Sequence, residues 1–367
     1  VKTPLLSVCL ITYNHASFVK EALDSILEQE TNFPWQLIIA DDYSTDGTRE
    51  ILREYKNRYP EKIHLILQKK NVGPETNWLD LMQYPRTTYV AYVEGDDYYT
   101  DKTKLQRQID FLQSHPDFSI SFHTVDVRYQ DKSKPNKQFP SPEMRKHKKV
   151  LNLSDLLESN FIQTNSAVYR WRFIDEDLRA TYPIGVVPGD WIMHILHAEI
   201  GKIGFMDRCM TVYRRHDKGL WWSRGKIDFW NKYADGHMKS YQYVLNRYGD
   251  DPVNRTAILR QVQTVFYEIA NLASDDKLLL DLIKNYPLLA VGFVRFRQES
   301  RNNALKVLKD QQQLNDLTNA HVKKLETLTH KQQADLEKLN AEMEAITESL
   351  GWRLMVKFKD LSTRSTK

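Results

Sequence analysis

Strand-like and helix-like stretches alternate three times before Glu94, and this alternation constrains the fold more than any other feature of the chain. Residues 5–13 form a near-continuous apolar run, as in a strand covered on both faces. Phe18, Ala22 and Ile26, beside Val19, Leu23 and Leu27, then mark an amphipathic helix. Residues 35–40 read as a second buried strand that ends in Asp41 and Asp42. Turn and capping residues at 44–48 lead into a helix striped by Ile51, Leu52, Tyr55 and Tyr59. Residues 63–67 are a third strand. Asn71, Gly73 and Pro74 then form a turn with proline at the first helical position, ahead of Trp78, Leu79 and Met82. Such alternation predicts right-handed βαβ units and a parallel sheet.

The fourth strand, residues 87–93, runs into Glu94, Gly95, Asp96 and Asp97. Acids gathered at a strand end repel one another and resist desolvation unless a cation sits among them. Gly95 permits the tight turn that aims them together. In parallel sheets ligands bind outside the carboxyl ends of strands. Thr12, Tyr13 and Asn14 end the first strand, Asp41 and Asp42 the second, and the acids the fourth. Three strand ends thus place polar groups on one rim, which points to a divalent-metal site for a phosphorylated ligand rather than a solvated loop. Neither a dinucleotide-binding glycine fingerprint nor a phosphate-binding P-loop is present.

Further along, residues 104–112 predict a helix and 118–127 a strand. Residues 131–149, rich in Lys, Pro and Ser, predict a mobile surface loop. Residues 153–157 predict a short helix that Ser154 would cap, and residues 163–169 a strand with polar side chains. Asp190 opens a helix, where the helix dipole favours an acid; a plain N-cap is the alternative reading. Residues 203–212 have a strand pattern and lead to Tyr213, Arg214, Arg215 and His216.

Hydrophobic content of 41% marks the bulk as globular, and a formal charge of +4 is too small to argue for nucleic acid. Of two cysteines, Cys9 lies in an apolar run and reads as a buried thiol, which fits a reducing, cytoplasmic compartment. No apolar run reaches membrane-spanning length, and no secretory leader is visible.

The motifs at residues 7–14, 39–48, 71–73 and 94–97, with Lys104 and Leu105 after them, together resemble the inverting nucleotide-sugar glycosyltransferases of family 2, which have the GT-A fold. Gly189, Asp190 and Trp191, then Tyr213 to His216, continue the match, over about residues 4–222. The resemblance implies an α/β GT-A domain (a Rossmann-like, mostly parallel sheet with flanking helices) over residues 1–225. It also implies roles. Thr12 and Asp42 would hold the nucleotide base, with Tyr13 and Asn14 lining its pocket and Asn71 and Gly73 near the base or ribose. Asp96 and Asp97 match the DxD region, which binds ribose and a Mg²⁺ or Mn²⁺ ion. Many relatives have Asp where Glu94 stands, which leaves Glu94 a supporting role. Asp190 matches the general base. His216 matches a position that contacts the metal or diphosphate in some relatives, and Arg214 and Arg215 could face the diphosphate.

The implied activity is metal-dependent transfer of a sugar, with inversion, from a nucleotide-sugar donor to a glycan or lipid-linked acceptor in bacterial surface polysaccharide synthesis. A sugar nucleotidyltransferase would need a Gly- and Lys-bearing loop after the first strand, and residues 13–17 lack one. A non-catalytic scaffold, assembling partners through its C-terminal coil, is opposed by the presence of Asp96, Asp97 and Asp190.

Residues 226–303 predict helices. Residues 304–350 predict a coiled coil, with Val322, Leu325, Leu336, Leu339, Met343, Ile346 and Leu350 at a and d positions, hence self-association or a partner coil. In residues 351–367 Trp352, Leu354, Met355 and Phe358 interleave with Arg353, Lys357 and Lys359. This is a basic amphipathic tail that would either pack on the coil or lie peripherally on the cytoplasmic face of the inner membrane.

Overall fold

The computed structural model describes residues 3–298 except 133, 146–149, 218, 220–224, 273–276, 293 and 295–297. The expected coiled coil and basic tail lie outside the described residues. The chain divides into two compact units, Val1–Arg224 and Gly225–Lys367.

The first unit begins with β1 (Leu6–Thr12), α1 (Val19–Leu27), β2 (Trp35–Asp41), α2 (Thr48–Arg58), β3 (Ile63–Leu67), α3 (Pro74–Met82) and β4 (Tyr89–Glu94). These strands pair in parallel in the order β3-β2-β1-β4. β1 is covered on both faces, as its unbroken apolar run requires. Leu6, Val8 and Leu10 join Val19, Ala22, Leu23 and Ile26 of α1 in one core with Leu37, Ile39 and Val93. Burying each of the Leu, Ile and Val side chains among them contributes about 1.5–3 kcal/mol. On the opposite face Cys9 is fully buried as a free thiol, and Asn77 of α3 donates Nδ2 to the Ala40 carbonyl.

The second half of this unit departs from simple alternation. It contains β5 (Tyr98–Tyr99), α4 (Lys104–Ser114), β6 (Phe118–Tyr129), β7 (Lys137–Phe139), α5 (Pro142–Arg145), β8 (Val150–Leu151), α6 (Leu153–Glu158), β9 (Val168–Arg170), α7 (Leu178–Thr181), α8 (Gly189–Ala198) and β10 (Lys202–Arg215). The sheet continues past β4 as β9-β6-β10-β5, with β9 antiparallel to both neighbours. Three sequence expectations change here. The segment read as a plain loop carries β7, an antiparallel partner of β6. Asn152, not Ser154, caps α6, through a reciprocal box with Asp155. The polar stretch read as one strand is a 3-10 turn, Thr164–Ser166, followed by the short β9. Ser166 Oγ donates to the Gln163 carbonyl, so a local side-chain bond takes the backbone group that a ladder would have used.

In the second unit, α9 (Lys226–Tyr248), α10 (Pro252–Leu272) and α11 (Lys277–Asn285) are helices. Trp230 donates its indole N–H to Glu268, and Tyr286 donates to Asp235 at 2.6 Å. Among the described residues no helix is long and apolar enough to cross a membrane.

Candidate active site

The parallel register sets the rim. Thr12 lies beside Asp41, Ile11 lies beside Glu94, and the Gly95 N–H bonds to the Ile11 carbonyl at 2.8 Å. β1, β2 and β4 therefore end level with one another. Gly95 is required here by close approach, since a Cβ would stand 2.9 Å from Thr12 Oγ1 and 3.0 Å from His15 Nδ1. Both of those atoms, with Glu94 Oε2 and His216 Nδ1, are buried and without a hydrogen-bond partner among the described residues. Buried polar atoms without hydrogen-bond partners also occur away from the rim, at Lys104, His194 and His197; these four stand out because they gather around Gly95.

Asp96 is the charged centre. Its Oδ2 accepts from His216 Nε2 at 2.9 Å and lies 3.8 Å from His15 Nε2. Burial alone would raise the Asp96 carboxyl; the His216 hydrogen bond and the two imidazoles outweigh it, so the acid is held below its ordinary range. Glu94 behaves in the opposite way. Burial first, then the Asp96 and Asp190 charges, push it up to about 8. The His216 ring packs on Phe18, with centroids 4.6 Å apart.

Asp97, expected to be a metal ligand, has both of its oxygens engaged by the protein. It is fully buried, one oxygen accepting from Asn165 Nδ2 at 2.8 Å and the other from the Arg214 N–H at 2.9 Å. Its carboxylate braces the end of β10 instead of facing the rim, and burial followed by the Asp96 and Glu94 charges drives its carboxyl well above the ordinary range. Arg214 is likewise committed behind the rim. Its guanidinium bonds the Asp96 carbonyl and the Glu21 carboxylate and lies over the Tyr98 ring at 4.5 Å. Arg215 lies over the Tyr213 ring at 5.9 Å.

At the other end of the rim, Asp42 fastens the loop before α3 by accepting from the Val72 and Gly73 N–H groups at 2.7 and 3.0 Å. Burial raises its carboxyl, against the lowering effect of those two bonds. Asn71 closes the same loop, its Oδ1 accepting from the Gly73 N–H at 3.2 Å. Asn14 bridges the ends of β1 and β2: its N–H donates to Ser44 Oγ at 2.8 Å, and its Oδ1 accepts from the Thr45 N–H at 2.9 Å. Tyr13, 46% exposed, stands clear on this rim.

Asp190 comes from a third direction, on α8. Pro188 is the N-cap residue, and Asp190, inside the first turn, accepts from the Trp191 N–H at 2.7 Å, so its carboxylate also satisfies one of the free donors at the helix start. It accepts from Thr164 Oγ1 at 2.9 Å and from Asn160 Nδ2 at 3.4 Å. Burial raises its carboxyl more than those bonds lower it. Its charge also acts on Glu94 and on Tyr92, so the two acids share one electrostatic field.

The fold thus gathers Thr12, Asp96 and His216, with Asp190 in reach of their field, and holds Asp42, Asn71 and Gly73 in one knot. His15 went unnoticed in the sequence, although it follows Tyr13 and Asn14 at a strand end, where rim residues belong. A divalent ion would be held by Asp96, and by His216 only once Nε2 gives up the proton it donates to Asp96 Oδ2, because a nitrogen that donates offers no lone pair to a metal. Among the described residues no group of three or more His, Cys, Asp or Glu side chains is arranged to hold a metal by itself. Such an ion would take its remaining ligands from a bound phosphate, as magnesium does with nucleotides.

A mixed sheet with helices on both sides and acids at the strand ends is the GT-A architecture, and comparison with known proteins agrees. Residues 7–178 match the model of Glycosyl transferase family 2. An uncharacterized protein of Mycobacterium tuberculosis, Rv1520, is 40% identical over 243 residues, 66% of this chain and 68% of that protein. The abequosyltransferase RfbV of Salmonella typhimurium is 32% identical over 117 residues, 32% of this chain and 35% of RfbV. In fold, the crystal structure of S. aureus TarS 1–349 in complex with UDP superposes with a TM-score of 0.56 at 16% identity, covering 81% of this chain and 91% of that one. The chain belongs to glycosyl transferase family 2 and is a glycosyltransferase.

Proposed function

We propose that this chain is a metal-dependent, inverting glycosyltransferase. It would move a sugar from a nucleotide-sugar donor to a hydroxyl of a glycan or lipid-linked acceptor in bacterial surface polysaccharide synthesis. The observation that carries the metal and donor reading is the Asp96–His216 pair, the low-lying carboxylate of the rim, set among unpartnered buried atoms of Thr12, His15 and Glu94. The name of RfbV, an abequosyltransferase, supports hexosyl or deoxyhexosyl transfer.

In this reading Thr12, Tyr13, Asn14, Asp42, Asn71 and Gly73 receive the nucleoside. Asp96 and His216 would hold the cation, with Glu94 as a further acid of the rim. A bound Mg²⁺ or Mn²⁺ would supply Lewis-acid stabilisation to the departing diphosphate. Asp190 takes the proton from the acceptor hydroxyl as its oxygen bonds to the anomeric carbon and the bond to the diphosphate oxygen breaks. One displacement inverts the anomeric centre. Burial suits Asp190 to the task, because a raised carboxyl is a stronger base once ionised.

The test is release of nucleoside diphosphate from a panel of nucleotide sugars, with Mn²⁺ and with chelator. Release from one donor, dependent on the ion, supports the reading. Release undiminished by chelator removes the metal.

A further inference from the structure

Tyr43 adopts a left-handed backbone conformation, φ 64°. For a bulky side chain this is a strained state, because the Cβ crowds the neighbouring carbonyl; glycine or asparagine meets the same turn at lower cost. The turn itself is required. It lets Asp42 reach the Val72 and Gly73 N–H groups while Ser44, one residue on, donates its N–H to Asp41 at 3.1 Å. Nothing in that requirement calls for an aromatic ring. Nor is the ring repaid by burial, since Tyr43 is 43% exposed. It faces one charged group, Arg49, whose Cζ lies 5.3 Å from the ring centroid. Arg49 is in turn fixed by Asp41 at 3.2 Å and by the Gln68 carbonyl at 3.2 Å. An exposed aromatic, kept at a strained position and backed by an anchored guanidinium, sits between the two residues that knot the nucleoside end of the rim. Strain of this kind persists where the side chain serves a ligand.

We propose that Tyr43 is a specificity-determining residue whose ring, backed by Arg49, is a stacking wall for the nucleobase of the donor. This rests on the nucleotide-sugar reading above. A flat heteroaromatic base gains stacking energy on an aromatic face, and the cation behind that face restricts its motion.

The experiment uses the full chain, Tyr43→Asn and Tyr43→Phe. It measures melting temperature and calorimetric affinity for UDP, GDP, ADP and inorganic pyrophosphate, all with Mn²⁺. Asparagine tolerates the left-handed state, so Tyr43→Asn is expected to hold or raise the melting temperature. The same variant is expected to lower affinity for the preferred nucleoside diphosphate by roughly five- to fifty-fold and to leave pyrophosphate affinity unchanged. Tyr43→Phe keeps the face and is expected to bind within about twofold of the parent. Unchanged nucleoside diphosphate affinity in Tyr43→Asn overturns the assignment. So does a fall in melting temperature together with pyrophosphate affinity, which would make the ring a cover for the Arg49–Asp41 pair. Loss of binding in Tyr43→Phe overturns stacking in favour of the hydroxyl. A parent protein that binds none of the nucleotides overturns the donor reading itself, and Tyr43's role with it.

Discussion

His216 and Asp96 stand 120 residues apart in the chain and 2.9 Å apart in the fold, joined Nε2 to Oδ2. The contact brings the end of β10 to the turn after β4, and it keeps Asp96 ionised where its acidic neighbours are pushed toward the protonated form. His216→Ala is expected to weaken apparent Mn²⁺ affinity in donor turnover by about tenfold or more. Metal titration of the initial rate checks this, and an unchanged midpoint would leave His216 a structural hydrogen-bond donor.

Asp96 and Asp97 are neighbours with opposite expected phenotypes. Asp96→Asn should abolish turnover and leave the melting temperature near that of the parent. Asp97→Asn sets an amide N–H₂ against Asn165 Nδ2 or the Arg214 N–H and leaves buried donors unsatisfied. It should cost about 2–4 kcal/mol of stability. Thermal melts of the two variants side by side decide which acid belongs to the core.

Gly95→Ala places a methyl group against Thr12 Oγ1 and His15 Nδ1. Donor KM should rise several-fold while the far end of the molecule is undisturbed. Steady-state kinetics at saturating metal provide the measurement; parent-like KM would mean that the rim gives way freely.

The parallel half of the sheet was legible because β1, β2 and β4 are covered on both faces and leave unbroken apolar runs, bounded by turns. The second half was less so. β10 pairs with β6 through several register shifts, and the stretch before β9 satisfies its backbone locally, so neither leaves a clean alternation. At the rim, Thr12, Asp42 and Asp96 were visible as polar residues at strand ends, whereas Asp190 and His216 were singled out for a role only by the family resemblance. Which acid of the cluster faces outward was not visible. A single turn, with the Asp97 N–H bonded to the Glu94 carbonyl, sends Asp97 into the core and leaves Glu94 at the rim. Sequence adjacency carries no sign of that rotation. His15, unlike His216, stands at no position to which the family resemblance assigns a role, and its approach to Asp96 is invisible in the local sequence.

Two histidines of α8 set an acid limit on stability. His194 and His197 are fully buried, and burial lowers each to about 3. In the unfolded chain each takes a proton below about 6.5. The folded chain does not, so stability falls as pH drops from about 6.5 toward 3. His197 packs among Tyr169, Trp171 and Phe173, and a ring without a proton site should fit there. His197→Phe is expected to flatten the decline in melting temperature between pH 6.5 and 5. An unaltered pH profile would contradict it.

Asp190→Asn tests the chemistry most directly. The amide keeps the size, an oxygen for the Trp191 N–H and an N–H₂ that can donate to Thr164 Oγ1, and it removes the basicity. Nucleoside diphosphate affinity, measured by calorimetry with Mn²⁺, should match the parent, while turnover of the donor with acceptor falls by about a hundredfold or more. Parent-like turnover in Asp190→Asn would show that the proton of the acceptor hydroxyl goes elsewhere.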